Sequence, residues 1–285
     1  MRFAFIEAEK ARFPVTTLCR MLQVRTSGFY AWRTRGESHH RRADRRLAVE
    51  VRAAFGDHHE RYGSPRLYRA LQANGVDVGR HRVARLMREQ NLRARRRRRF
   101  CATTDSRHSQ PTAPNLLARD FAASAPNRVW AGDVTYVPTR EGWLFLAVLL
   151  DLYSRRVVGW AMSERNDEKL TLAALRMALE HRAPAPGLVH HSDRGTTYAS
   201  GEYQDELARH GLVPSMSRKG DCWDNAVVES FFSTLDTECG TGEPFASRLA
   251  ARRAIAEYIL GFYNPTRLHS YLAYRSPMEF ERLNH

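Results

Sequence analysis

The stretch Val129-Trp130-Ala131-Gly132-Asp133-Val134-Thr135-Tyr136-Val137 constrains this chain more than any other. β-Branched, aromatic and apolar side chains follow one another until Pro138 closes the run, which predicts a buried strand. Asp133 sits in its middle. Burying an ionised carboxylate is costly unless something cationic meets it, and the strand holds no Lys or Arg of its own. Either a distant arginine pairs with Asp133, or a metal ion neutralises it.

Charge divides the chain in the same place. The formal net charge is +14, yet residues 1–125 carry 27 basic and 11 acidic side chains against 18 and 20 in residues 126–285. A basic front half and a slightly acidic back half suggest a polyanion-binding segment joined to a domain whose carboxylates have another task. A soluble protein with one basic face is the plainer reading of charge alone. Cys19, Cys101, Cys222 and Cys239 show neither Cys-x-x-Cys spacing nor zinc-finger pairing with His, so reduced thiols are expected. The N-terminus has no apolar signal core, and the longest apolar run, Trp143 to Leu150, is too short to span a bilayer. A soluble cytoplasmic protein with no membrane contact is expected.

In residues 1–40 short helices broken around Val24 to Gly28 fit, with Phe29, Tyr30 and Trp32 as a small core. Leu47, Val51, Ala54 and Phe55 then recur at helical spacing. A helix–turn–helix pattern follows. Ser64 is placed to cap a helix with Pro65 at its first position, Leu67, Tyr68 and Leu71 inward and Gly75 at its end. The second helix has Val83, Leu86 and Met87 inward, with Arg80, His81, Arg82, Arg85 and Arg88 on its other faces, suited to a DNA groove. Many helix pairs carry such arginines only as a solvated surface. Arg93 and the run Arg95, Arg96, Arg97, Arg98 and Arg99 predict phosphate contact without sequence readout. The organisation expected is a helical segment at 1–40, a DNA-binding region at 41–100, a linker at 101–125 and a second domain at 126–285.

The back half predicts an antiparallel meander of strands 129–137, 143–150 and 156–162, then a helix over 167–182. A short strand, Leu188-Val189-His190-His191, delivers Ser192-Asp193-Arg194-Gly195 at its carboxyl end. Helix 201–210, a strand near 212–215 and a helix from about Asp224 to Thr237 complete a mixed α/β sheet. On that last helix Val227, Val228, Phe231, Phe232 and Leu235 make one stripe, and Asn225, Glu229, Ser233 and Asp236 make another. Glu229 would thus face the ends of the Asp133 and Asp193 strands. Taken singly, each acid reads as a cap or salt-bridge residue. Together, three carboxylates suit two Mg²⁺ (or Mn²⁺) ions, which prefer oxygen ligands and serve phosphoryl transfer as a pair.

Thirty-five residues separate Asp193 from Glu229. With that spacing, three sequence words resemble a known family: Trp130-Ala131-Gly132-Asp133-Val134-Thr135-Tyr136, His191-Ser192-Asp193-Arg194-Gly195, and Lys219-Gly220-Asp221-Cys222-Trp223-Asp224-Asn225-Ala226-Val227-Val228-Glu229-Ser230-Phe231-Phe232. The chain resembles the second-frame (OrfB) insertion-sequence transposases with a retroviral-integrase-like core. Tyr62-Gly63-Ser64-Pro65, Arg82-Val83-Ala84-Arg85, Tyr263-Asn264 and Arg267-Leu268-His269-Ser270 extend the likeness over nearly the whole chain. It departs at Asp236, where the family usually carries Lys, and at Thr197, where Gln is common.

The resemblance implies a ribonuclease-H-like core with Asp133, Asp193 and Glu229 as catalytic metal ligands. It also implies cutting of element-end DNA and joining of the freed 3′-hydroxyl to a DNA target. Arg218 and Lys219 are expected phosphate contacts beside Arg80, Arg82, Arg85 and Arg95 to Arg98. His191 suits either a water-orienting or a packing role, and Arg267 and His269 either DNA contact or fold stabilisation. The implied partners are DNA, further copies of the chain assembled on it, and an upstream-frame product or its frameshift fusion, in the bacterial cytoplasm at the nucleoid. Two other readings use the same residues: a nuclease that stops at hydrolysis, and a DNA-binding protein without chemistry.

Overall fold

A computed structural model describes residues 1–95, 112–218 and 222–284. The arginines 96–99, Lys219 and Cys101 lie outside the described residues, as do the side chains of Cys222 and Trp223. The chain forms two compact units, Met1–Arg93 and Ala94–His285.

The first unit is helical throughout: α1 (Arg2–Glu9), α2 (Val15–Met21), α3 (Thr26–Thr34), α4 (His39–Asp57), α5 (Ser64–Ala73) and α6 (Arg80–Glu89). Ile6, Leu18, Cys19 and Phe29 make one small core under α1 to α3. Tyr30 and Trp32, expected to join it, are 48% and 41% exposed. Helix α3 begins at Thr26, so the break between α2 and α3 comes earlier than Gly28. The periodicity of α4 holds, since Leu47, Val51, Ala54 and Phe55 are its buried residues. Ser64 makes no cap: Gly63 occupies that position and no side chain bonds the first turn. Val83, Leu86 and Met87 of α6 turn inward.

The second unit is a five-stranded sheet: β1 (Val129–Thr139), β2 (Gly142–Asp151), β3 (Val157–Ser163), β4 (Val189–Ser192) and β5 (Val213–Met216). Its order is β3-β2-β1-β4-β5. The three meander strands pair antiparallel, while β4 joins β1 and β5 joins β4 in parallel. This is the mixed, ribonuclease-H-like sheet expected of the sequence.

Helices α7 (Glu168–Arg182) and α8 (Gly201–Arg209) cover one face with Leu170, Leu175, Ala178, Leu179, Tyr203 and Leu207, against Trp130, Ala147 and Leu149. Asp167 caps α7 at Leu170 N and Ser200 caps α8 at Tyr203 N. At Gly159 a Cβ would stand 2.3 Å from the Ala174 carbonyl oxygen. Helix α7 therefore rests directly on the β3 backbone, and any side chain there would push it off.

The remaining helices are α9 (Ala226–Cys239), α10 (Arg248–Glu257), which runs on into a π-helical turn (Tyr258–Tyr263), and α11 (Pro277–Leu283). Asn264 bonds both the N–H and the carbonyl of Val157, which satisfies backbone groups at the start of β3. Helix α11 is tied down through Glu281, which accepts from Ser154, Arg156 and Arg182 at 2.7–2.9 Å. Arg267, 3% exposed, forks onto buried Glu238 at 2.7 and 2.8 Å and lies over Tyr263. That settles its fold-stabilising contact. No helix among the described residues is long and apolar enough to cross a membrane.

Candidate active site

Three acids arrive from three kinds of element. Asp133 lies within β1 opposite Val148 of β2, half-buried, with Oδ1 accepting from Val134 N at 2.8 Å. Asp193 immediately follows β4, whose last residue Ser192 pairs with Gly132. Gly195 N donates to Asp193 Oδ1 at 2.9 Å, and a Cβ on Gly195 would crowd that oxygen at 2.9 Å. The turn after β4 thus closes against its own carboxylate. Glu229 stands in the first turn of α9, half-buried.

Their charges meet. Burial raises the Asp133 pKa well above the ordinary value of 3.8, and the Asp193 and Glu229 carboxylates push it further. Among the described residues the Val134 N–H opposes them, and none of the groups acting on Asp133 is a cation. Burial also raises Glu229. Among the described residues no group of three His, Cys, Asp or Glu side chains is gathered tightly enough to hold an ion as it stands. Mutual repulsion of carboxylates works in that direction. The donor set fits a hard divalent cation, because all three acids offer oxygen donors.

What aims Glu229 is the entry to α9. Asn225, 4% exposed, donates from Nδ2 to the Gly132 carbonyl at 3.2 Å, which ties the helix start to the residue before Asp133. Asp224, fully buried, accepts from Arg218 N at 2.9 Å, Nε at 3.0 Å and Nη2 at 2.9 Å. Arg119 Nε at 3.1 Å and Asn115 Nδ2 at 2.8 Å complete the ring. Hydrogen bonds from Arg218, more than burial opposes, hold its pKa well below the usual carboxylate range. Leu116 N also donates to Ser215 Oγ. Described residues of the segment expected to link the domains are thus packed on the second unit.

Sequence reasoning missed this ring. Asp224 carries the one local signal, an acid at a helix start, but it caps nothing. Its partners Asn115 and Arg119 lie 109 and 105 residues away. His191 is fully buried between Ser215 Oγ at 2.9 Å and Ser217 Oγ at 3.2 Å, a packing role, and burial lowers its pKa.

The expected DNA contacts are differently placed. Arg82 Nε and Arg85 Nη2 bond the two oxygens of Asp44 on α4 at 2.7 and 2.6 Å, and Arg85 Nη1 reaches Glu89 at 2.8 Å. Both arginines fasten α6 to α4. Arg80 and Arg95 are exposed. Arg218 is half-exposed, but its guanidinium is engaged by Asp224. Asp236 turns toward Thr241, whose Oγ1 donates to it, and burial raises its pKa.

Comparison with known proteins gives this geometry a lineage. Models described as "Integrase core domain" match residues 123–222 and 210–277, and one described as "HTH-like domain" matches residues 41–100. Transposase InsF for insertion sequence IS3A of Escherichia coli (strain K12) is 45% identical over 286 residues, covering 100% of this chain and 99% of that protein. The insertion element IS600 uncharacterized 31 kDa protein of Shigella sonnei is 46% identical over 268 residues, covering 94% of this chain and 98% of that one. Among solved structures, the HTLV-2 integrase catalytic core domain in complex with magnesium aligns with a TM-score of 0.45 at 18% identity. It covers 55% of this chain and 98% of that one. An integrase core preceded by a helix–turn–helix-like domain defines a transposase, an enzyme of the polynucleotidyl-transferase class acting in DNA transposition. The chain belongs to the IS3 insertion-sequence family of transposases that includes InsF.

Proposed function

We propose that Asp133, Asp193 and Glu229 hold two divalent cations, Mg²⁺ or Mn²⁺, and with them cut element-end DNA and join its 3′-hydroxyl to a target. The observation that carries this reading is the Asp133 carboxylate, half-buried in a strand and acted on, among the described residues, by two other acids and no cation. When bound, such a cation pair supplies activation of the attacking oxygen and stabilisation of the leaving one. The chain's own groups do the rest. Asp133 is held by the sheet, Asp193 by the Gly195 N–H, and Glu229 by the anchored entry to α9. No Ser or Tyr nucleophile is required, because water and then the freed 3′-hydroxyl attack in line.

Exposed Arg80 and Arg95, with Arg96, Arg97, Arg98 and Lys219, meet phosphates in this reading. Arg82, Arg85 and Arg218 do so only with the faces their acids leave open. Further copies of the chain assemble on the DNA, and an upstream-frame product or frameshift fusion accompanies it. The reaction takes place in the cytoplasm, at the nucleoid.

The test is an oligonucleotide assay with Mg²⁺ on wild type, Asp133→Asn and Glu229→Gln. Wild type is expected to cleave an element end and yield joined product, and both variants to do neither. Cleavage without joining would favour a nuclease that stops at hydrolysis. Unchanged processing by Asp133→Asn would sink the metal reading.

A further inference from the structure

The helix–turn–helix-like match covers residues 41–100 and leaves α1 to α3 without a task. Yet α2 and α3 are joined by a turn of the same make. Four residues, Leu22 to Arg25, separate them, the length usual between the helices of such a motif. Gln23 takes a left-handed backbone, φ 53°. Gln23 N donates to the Arg20 carbonyl at 3.1 Å, and Val24 N to the Cys19 carbonyl at 2.9 Å. These two bonds close a helix end in the Schellman manner. Helix α5 ends in the same way, through Gly75 N to Gln72 at 2.9 Å and Val76 N to Leu71 at 3.0 Å. Val24 then packs on the core of Ile6, Leu18, Cys19 and Phe29. A non-glycine residue held left-handed by two bonds and an apolar anchor fixes the direction in which α3 leaves.

One side of α3 is given to the fold. Phe29 is buried, a Cβ on Gly28 would meet Phe3 Cζ at 3.3 Å, and the Phe3 and Trp32 rings lie 5.9 Å apart. At about 3.6 residues per turn, the side opposite Phe29 carries Ser27, Tyr30, Ala31 and Thr34. All four are exposed. Three hydroxyls and a methyl group in that array suit base edges in a major groove. Charge frames the face. From Phe13 to Gly36 the chain has Arg20, Arg25, Arg33 and Arg35 and no Asp or Glu. The four arginines are exposed, and none forms an ion pair among the described residues. Arg33 lies over the Tyr30 ring, 5.6 Å from its centroid. On α6, by contrast, Asp44 engages Arg82 and Arg85.

We propose that α2 and α3 form a second helix–turn–helix, with α3 lying in the major groove of double-stranded DNA. Ser27, Tyr30, Ala31 and Thr34 face the base edges, and the four arginines meet flanking phosphates. This binding needs no divalent cation, so it stands apart from the reading of Asp133, Asp193 and Glu229.

The experiment selects bound duplexes from a pool of randomised sequence, using the full chain in EDTA. Wild type should enrich a motif. Ser27→Ala combined with Tyr30→Phe removes two hydroxyls, changes no charge and keeps the ring beside Phe29. It should bind the wild-type motif about tenfold more weakly and an unselected duplex as wild type does. Arg25→Ala combined with Arg33→Ala should weaken both duplexes alike, and the slope of log affinity against log salt should become shallower by about one for each arginine. Ala31→Glu sets a carboxylate in the centre of the face and should abolish the enrichment. All of these side chains are exposed, so melting temperatures should match wild type. An unchanged motif and affinity in both Ser27→Ala/Tyr30→Phe and Ala31→Glu would overturn the proposal and leave this face to a protein partner. A wild-type chain that enriches no motif would overturn it as well. Because no metal is present, failure of the cation-site reading would leave each of these results as stated.

Discussion

Asp133 and Asp224 are both carboxylates sunk into the second unit, and their surroundings are opposites. Asp224 is ringed by two guanidinium groups, an amide and a backbone N–H, and its pKa is held low. Asp133 has its pKa held high by burial and then by the Asp193 and Glu229 carboxylates. The first is an internal ion pair that completes itself within the fold. The second is left incomplete by the fold, and in the folded chain its ionised form is the unfavourable one. In the proposed function, something from outside supplies the positive charge that such a group lacks.

Neutralising each acid should break the symmetry of this pair. Asp133→Asn is expected to lower DNA processing by roughly a thousandfold or more, the loss of several kcal/mol of metal stabilisation. The same variant should melt no lower than wild type without metal, since it removes a repelled charge. Asp224→Asn should do the reverse. Breaking a buried pair is strongly destabilising. With Arg119 and Arg218 each about half-exposed, the expected cost is on the order of 2 kcal/mol in chemical denaturation. Activity should fall less than for Asp133→Asn. If both variants moved stability in the same direction, the contrast between the two sites would collapse.

Acid titration sharpens the same contrast. A carboxylate whose folded pKa is raised contributes stability that is present below its ordinary value and lost as pH rises through the raised one. Metal-free wild type should therefore lose stability at Asp133 as pH climbs above 3.8, and Asp133→Asn should show a flatter profile there. Asp224 has the opposite sign: its contribution is present above 3.8 and lost as pH falls through its depressed value. In Asp224→Asn the acid limb of the unfolding curve should weaken. Measuring both profiles by urea denaturation across pH 3 to 7 checks the signs independently.

The smallest expected effect lies in the first unit. Asp44 holds Arg82 and Arg85 as Asp224 holds Arg218, but in a more solvated setting. Asp44→Asn should release both guanidinium groups at little cost in stability. Affinity for a short duplex at low salt should rise a few-fold, and a fall would mean that the paired arrangement itself is what meets DNA.

Much of this architecture was legible from local pattern. Strand alternation, the apolar stripe of α4 and the turn after His191 depend on neighbours in sequence, and the elements appear within about two residues of expectation. The separation of Asp193 from Glu229, with the sequence words around them, carried the family resemblance that implies three acids. What stayed hidden depends on distant partners. No pattern near Asp224 announces Arg119, and no period on α6 tells an arginine that enters a groove from one that grips α4. Tyr198 reads as an ordinary core aromatic until its hydroxyl is seen to have no hydrogen-bond partner among the described residues. Ser64 failed for a local reason, since the helix begins one residue earlier than its side chain could serve.

The parallel pairing of β1 with β4 has a consequence in time as well as in space. Gly132 meets Ser192 across a long crossover, and Asn225 reaches back 93 residues to the same glycine. Such long loops close slowly. A ribosome must therefore deliver the chain past α9 before that anchor can form, so in the proposed function a growing or prematurely ended polypeptide carries its basic front half without a finished cutting site.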